Sequence, residues 1–145
     1  MLDAIRRNAI PPEARIVSPA WFDAFANLRD GAEIPVAVEA KSLRSGAQKL
    51  RVEVTRGVET TGRDWVTVYE SPVLDRAVSG ALTTIPVSIL RALPLNPRDH
   101  SYEANSFTMR LVVDDLRGQV AEARRTFYVY DDQRLASGFP KKLQG

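Results

Sequence analysis

Asn105–Tyr130, NSFTMRLVVDDLRGQVAEARRTFYVY, is the stretch whose reading decides the fold. From Phe107 onward, Phe107, Met109, Leu111 and Val113 alternate with Thr108, Arg110, Val112 and Asp114. Such alternation puts the two sets on opposite faces of a strand. Asp114-Asp115-Leu116-Arg117-Gly118 then carries turn chemistry. Aspartate side chains bond backbone two residues on, and glycine accepts positive φ. The return strand places Ala121, Ala123, Phe127 and Val129 on one parity. Glu122, Arg124, Thr126 and Tyr128 fall on the other, which is expected to face solvent. Arg125 interrupts the apolar parity, so a bulge or a strand end is expected beside it. The stretch predicts two long antiparallel strands joined by a tight turn.

Shorter strands are expected upstream. Arg15-Ile16-Val17 fits a first strand. Ile34, Val36, Val38 and Ala40 alternate with Glu33, Pro35, Ala37 and Glu39, and Pro35 argues for a sheet edge or a strand start. Ser42–Ala47 reads as a turn, and Leu50, Val52 and Val54 mark the next strand. Trp65–Tyr69 has apolar groups on both parities, Val66 and Val68 against Trp65 and Tyr69. That predicts a strand that is central or covered. Pro72 ends it, and Val73–Ser79 is a connection. Leu82–Leu90 reads as a strand with Ile85, Val87 and Ile89 on one face, and Pro86 suggests an edge. Arg91–Asn105 is a long loop of the kind that often makes contacts.

Two segments read differently. Pro19–Asp30 is the one stretch with helical signals: Ser18 as a cap, Pro19 at the first position, Gly31 as a stop, and Trp21, Phe22, Phe25 and Leu28 at helical spacing. The same residues would also suit a structured loop plugging the open end of a sandwich. Residues 1–13 form an arm in which Leu2 and Ile5 share one side before Pro11-Pro12 stops any helix. The tail after Tyr130 has little periodicity, and Phe139, Pro140 and Leu143 are its only adhesive groups.

The hairpin resembles the last two strands of bacterial and phage immunoglobulin-like and fibronectin-type modules. Those often carry an aromatic-led strand, an acidic turn with glycine and an aromatic-rich final strand, places that Phe107, Asp114, Gly118 and Phe127 fill here. The resemblance spans about residues 14–132 and implies an all-β, immunoglobulin-like antiparallel β-sandwich of about seven strands. It divides the chain into an N-terminal arm (1–13), the sandwich (14–132) and a C-terminal tail (133–145). With no cysteine pair and no tyrosine corner, antibody-type domains are not implied. An arrestin-like sandwich gives a similar pattern.

Composition narrows the function. At 145 residues one domain is expected, and 44% hydrophobic content fills one core. The net charge of +2 is spread through interleaved acids and bases, so no nucleic-acid partner is implied. Without cysteines there is no thiol catalysis, disulfide or zinc–thiolate site. The N-terminus lacks the apolar core of a signal peptide, and no run approaches the roughly 20 apolar residues of a membrane span. A virion or the cytoplasm is the expected location, with no membrane partner.

No catalytic constellation stands out. Asp99-His100-Ser101 is a triad only on paper, because adjacent residues point apart while triad groups must converge. The acid pairs Asp114–Asp115 and Asp131–Asp132 lack the fixed-spacing loop of a calcium site and read as turn caps. Glycines are scattered singly, so no phosphate loop exists. No cofactor or metal is implied. The expectation is a non-catalytic structural or interaction protein, a subunit of an assembly such as a phage virion (capsid decoration, cement or tail-associated). It would dock on other subunits or on copies of itself through Leu2, Ile5, Trp21, Phe22, Phe139 and Leu143. The alternative is a glycan- or peptide-binding module of a surface protein that uses Trp65, Tyr69, Tyr128 and Tyr130 as a stacking face. Cross-strand packing is the commoner cause of such aromatic pairs.

Overall fold

Alternation along β7 (Ser106–Asp114) is realised as a core face: Phe107, Met109, Leu111 and Val113 are all buried. In the computed structural model, which describes residues 10–20, 23–26, 31–43, 46–57, 65–94 and 105–130, β7 pairs without a break against β8 (Val120–Tyr130). The register runs from Ser106 opposite Tyr128 to Asp114 opposite Val120. The turn is held by the aspartates as expected. Asp114 Oδ1 accepts the Leu116 N–H at 2.7 Å, and Asp115 Oδ1 accepts those of Arg117 (2.8 Å) and Gln119 (3.1 Å). Asp115→Ala removes both of the latter and is expected to lower unfolding stability by about 1–2 kcal/mol, read from the urea midpoint.

Among the described residues the other strands are β1 (Glu13–Ser18), β2 (Ala24–Ala26), β3 (Glu33–Lys41), β4 (Lys49–Arg56), β5 (Val66–Glu70) and β6 (Val78–Pro86), with a helical turn, α1 (Val87–Arg91). They form two sheets, ordered β1-β3-β6 and β2-β8-β7-β4-β5. All pairs are antiparallel except β2 with β8. Against immunoglobulin order, β1, β3 and β6 take the places of strands A, B and E, and β4, β7 and β8 those of C, F and G. β5 is the extra strand beside C, and β2 is a detached piece of the first strand lying along G. Residues 71–77 connect β5 directly to β6, so no strand stands at D. The chain is an all-β, immunoglobulin-like sandwich.

Its core lies between the sheets. Ile16, Ile34, Val36, Val38 and Ile85 from one meet Leu50, Val52, Val54, Met109, Leu111 and Phe127 from the other. Arg56 of β4 closes one end. Its guanidinium lies 5.0 Å from the Phe107 ring centroid and donates to the Leu90 and Arg91 carbonyls at the end of α1.

The structure departs from the sequence reading at several points. No bulge or strand end marks Arg125, which stays in register opposite Met109. Its guanidinium donates to the Ile16 carbonyl of β1, so one arginine is accommodated at the seam between sheets. Of the outer-parity residues of β8 expected to face solvent, Glu122 and Arg124 do so, whereas Thr126 and Tyr128 are buried. Of the two readings of residues 19–30, the helical one fails for the described residues. Ser18 pairs with Ala37 as the end of β1. The Asp23 carboxylate accepts the Ala20 N–H, and Asp23 N–H donates to the Ala20 carbonyl, which closes a turn instead of a first helical turn. The chain then runs along β8 as β2, and the Phe25 ring meets Phe127 edge-on with centroids 6.2 Å apart.

Leu82–Leu90 is not one strand. β6 stops at Pro86, and Val87 and Leu90 bury one side of α1, a spacing that suits a helix as well as Val87 and Ile89 suit a strand. β6 is a sheet edge, as Pro86 suggested. Pro35 lies in the first part of β3, which pairs with β6 alone, before the β1 register begins at Ala37. β5 is an edge strand, neither central nor sandwiched between neighbours.

Candidate functional site

Strand register decides which loops meet. Glu13 pairs with Lys41, Ala40 with Val78, Gln48 with Leu74, Lys49 with Asp114, and Asp114 with Val120. The β3–β4, β5–β6 and β7–β8 connections and the entry to β1 therefore share one end of the sandwich. Among the described residues seven large apolar side chains are exposed, and five of them stand at this end: Ile10, Leu43, Val73, Leu116 and Val120. Val73 and Val120 are 53% and 55% exposed, which leaves most of their burial energy unused by this fold.

The loops carrying them are tied down. Gln48, fully buried, donates through Nε2 to the Ala40 carbonyl at 3.2 Å and the Arg76 carbonyl at 2.8 Å. It thereby joins the β3–β4 and β5–β6 connections across the two sheets. Its backbone exchanges two hydrogen bonds with Leu74. Ser71 Oγ accepts the Leu50 N–H and donates to the Pro72 carbonyl. Leu116 itself holds φ +63°, a left-handed conformation that non-glycine residues seldom adopt. An exposed leucine in that conformation gains the fold little.

The outer face of the five-stranded sheet adjoins this end. Lys49, Leu50, Arg51, Glu70, Val112 and Asp114 line a cleft of ≈ 100 Å³, with cations and carboxylates around the Val112 side chain. Further along the same face runs a ladder of charge. Arg51 meets Glu53 at 3.3 Å, Glu53 meets Arg110 at 2.8 Å, and Glu122 meets Arg124 at 3.1 Å. Arg110 and Arg124 also lie over the Trp65 ring, 4.0 Å and 5.5 Å from its centroid. No group of three or more His, Cys, Asp or Glu that could hold a metal ion occurs among the described residues. No helix among them is long and apolar enough to cross a membrane.

No protein-family model matches the chain, and no curated protein does. Among solved structures it is similar to CopC from Methylosinus trichosporium OB3b. The two share 15% identity over 83% of this chain and 98% of that one, with a TM-score of 0.39. It is also similar to murine CRIg, at 14% identity over 82% and 96% of the two chains, with a TM-score of 0.35.

The four aromatics considered as a stacking face do not form one row. A bulge opposite Val52–Glu53 makes Val68 an extra residue in β5, which reverses parity along the strand. Tyr69 therefore pairs with core-facing Val52 and packs on the core, whereas Trp65 lies outside with Arg110. Tyr128 is buried on the outer parity of β8. The Tyr130 side chain, Leu2, Ile5, Trp21, Phe22, His100, Phe139 and Leu143 lie outside the described residues. Sequence reasoning passed over Leu43, Val73 and Leu116. Their signal was present, since each is a large apolar group inside a segment read as a turn or connection, where polar residues prevail.

Proposed function

We propose that the chain is a non-catalytic interaction module, a subunit of a larger protein assembly that docks through the loop end of its sandwich. The observation that carries this is the convergence of Ile10, Leu43, Val73, Leu116 and Val120 on loops fastened by Gln48, Ser71 and Asp115. An apolar centre with the charged cleft of Lys49, Arg51, Glu70 and Asp114 beside it has the composition of a protein–protein interface. Covering each apolar group would contribute on the order of 1 kcal/mol. Loops already ordered lose little entropy on binding. A phage virion is the assembly that the sequence resemblance suggests, with this end seated on the shell or tail.

The test is a pair of surface variants in the cells that make the protein. Val73→Asp with Val120→Asp is expected to melt like the wild type yet to leave the large complex and migrate as the free chain. A variant that stays in the complex contradicts the reading. Leu116→Asn separates docking from folding: asparagine tolerates the left-handed conformation, so stability is expected to hold or rise by up to about 1 kcal/mol while docking weakens.

A further inference from the structure

Left-handed backbone falls on glycine almost throughout this chain. Among the described residues six positions hold positive φ, and five of them, Gly31, Gly46, Gly57, Gly80 and Gly118, are glycine. The sixth is Leu116, at φ +63°. A Cβ makes that conformation costly, and glycine or asparagine adopts it with less strain. The turn itself does not call for a leucine. It is closed by the Asp115 N–H donating to the Gln119 carbonyl at 3.0 Å, and by aspartate oxygens accepting the Leu116, Arg117 and Gln119 N–H groups. Those bonds use backbone and the Asp114 and Asp115 side chains, so any residue that accepts positive φ at 116 completes them. The leucine side chain is left 42% exposed. Strained residues of this kind persist where the surrounding structure over-determines them, and they cluster at functional sites.

We propose that Leu116 is the anchor of the docking end, its side chain entering an apolar pocket on the protein partner; the inference rests on docking through that end. A flat or polar partner surface gives leucine no advantage over asparagine at this position, so the strain points to a partner that is concave and apolar here. The mount is rigid. β7 and β8 pair without a break up to Asp114 opposite Val120, and the aspartates fix the tip beyond them. A side chain already held in place loses little freedom on binding. Val73 and Val120 add apolar area at the same end. Interfaces commonly divide the energy in this way, with a few anchors carrying most of it and the surrounding contacts excluding water.

Serial dilution of the large complex, purified from the cells that make it and read as the fraction of free chain, tests this. Leu116→Gly is expected to raise the concentration of half-dissociation by about 30-fold, the loss typical of an interface anchor. Its melting temperature should stay close to that of the wild type, because relief of strain offsets the freedom glycine adds to the unfolded chain. Leu116→Asn should dissociate like Leu116→Gly, and Leu116→Met, apolar and of similar volume, should stay within about threefold of the wild type. Val73→Thr should cost less than about fivefold. A Leu116→Gly chain that dissociates like the wild type overturns the anchor, as does a Leu116→Met chain that dissociates like Leu116→Gly. If Val73→Asp with Val120→Asp leaves the complex while Leu116→Gly stays, the anchor falls and docking through this end stands. If neither leaves, or the wild type is found only as the free chain, both fall.

Discussion

Replacing Phe127 by alanine is expected to lower the unfolding free energy by about 3–5 kcal/mol, the range for a large aromatic removed from a core. Phe127 is fully buried. Its ring stands 6.2 Å from that of Phe25, nearly perpendicular at 85°, and 6.0 Å from that of Phe107. It therefore joins β2, β7 and β8. Domains of this size have stabilities of roughly 5–15 kcal/mol, so one substitution would remove a large share. β2 should loosen first, since Phe25 packs on this ring and the Tyr128 N–H donates to the Asp23 carbonyl just ahead of β2. Denaturant unfolding gives the loss, and hydrogen exchange at the Tyr128 amide reports the loosening. A loss below about 1 kcal/mol would mean that the ring is not a core element.

Glu53→Ala should have the next largest effect, about 2–3 kcal/mol, because it strips carboxylate partners from cations that the fold has partly dehydrated. The Glu53 side chain is 10% exposed and that of Arg110 18% exposed. Arg51 and Arg110 both meet it, and Arg110 is also held against Trp65. The sign reverses when the pair is removed together. Glu53→Leu with Arg110→Met replaces both charges by apolar groups of similar length and should recover most of the loss. A double-mutant cycle on the denaturant midpoint measures the coupling. A near-neutral Glu53→Ala would place the ladder among ordinary surface ion pairs.

These two residues show how far the sequence could be read. The parity of Phe107, Met109, Leu111, Val113 and Phe127 marks a core face, because side chains on neighbouring strand positions must point apart. The turn at Asp114–Gly118 is equally legible, because its chemistry is local. Glu53 was not legible as a buried ion-pair partner. Its environment comes from Arg110, paired opposite it on β7, and from a Trp65 whose face depends on one extra residue in β5. β2 escaped for a related reason: Phe25 has helical spacing with Trp21, Phe22 and Leu28, but packing against Phe127 outweighs local propensity. The loop end is the clearest case. Ile10, Leu43, Val73, Leu116 and Val120 are scattered in sequence and share one end of the sandwich only once the register of both sheets is set.

The central claim, docking through that end, is most directly tested with a lysine-reactive crosslinker. The lysines of the chain are Lys41, Lys49, Lys141 and Lys142. Lys41 closes β3 and Lys49 opens β4, both at the loop end, and both are exposed. Crosslinking in the cells that make the protein, read by mass spectrometry, should join Lys41 and Lys49 to another protein. Links from Lys141 and Lys142 alone, with Lys41 and Lys49 joined only within their own chain, would put docking on the tail and contradict the account.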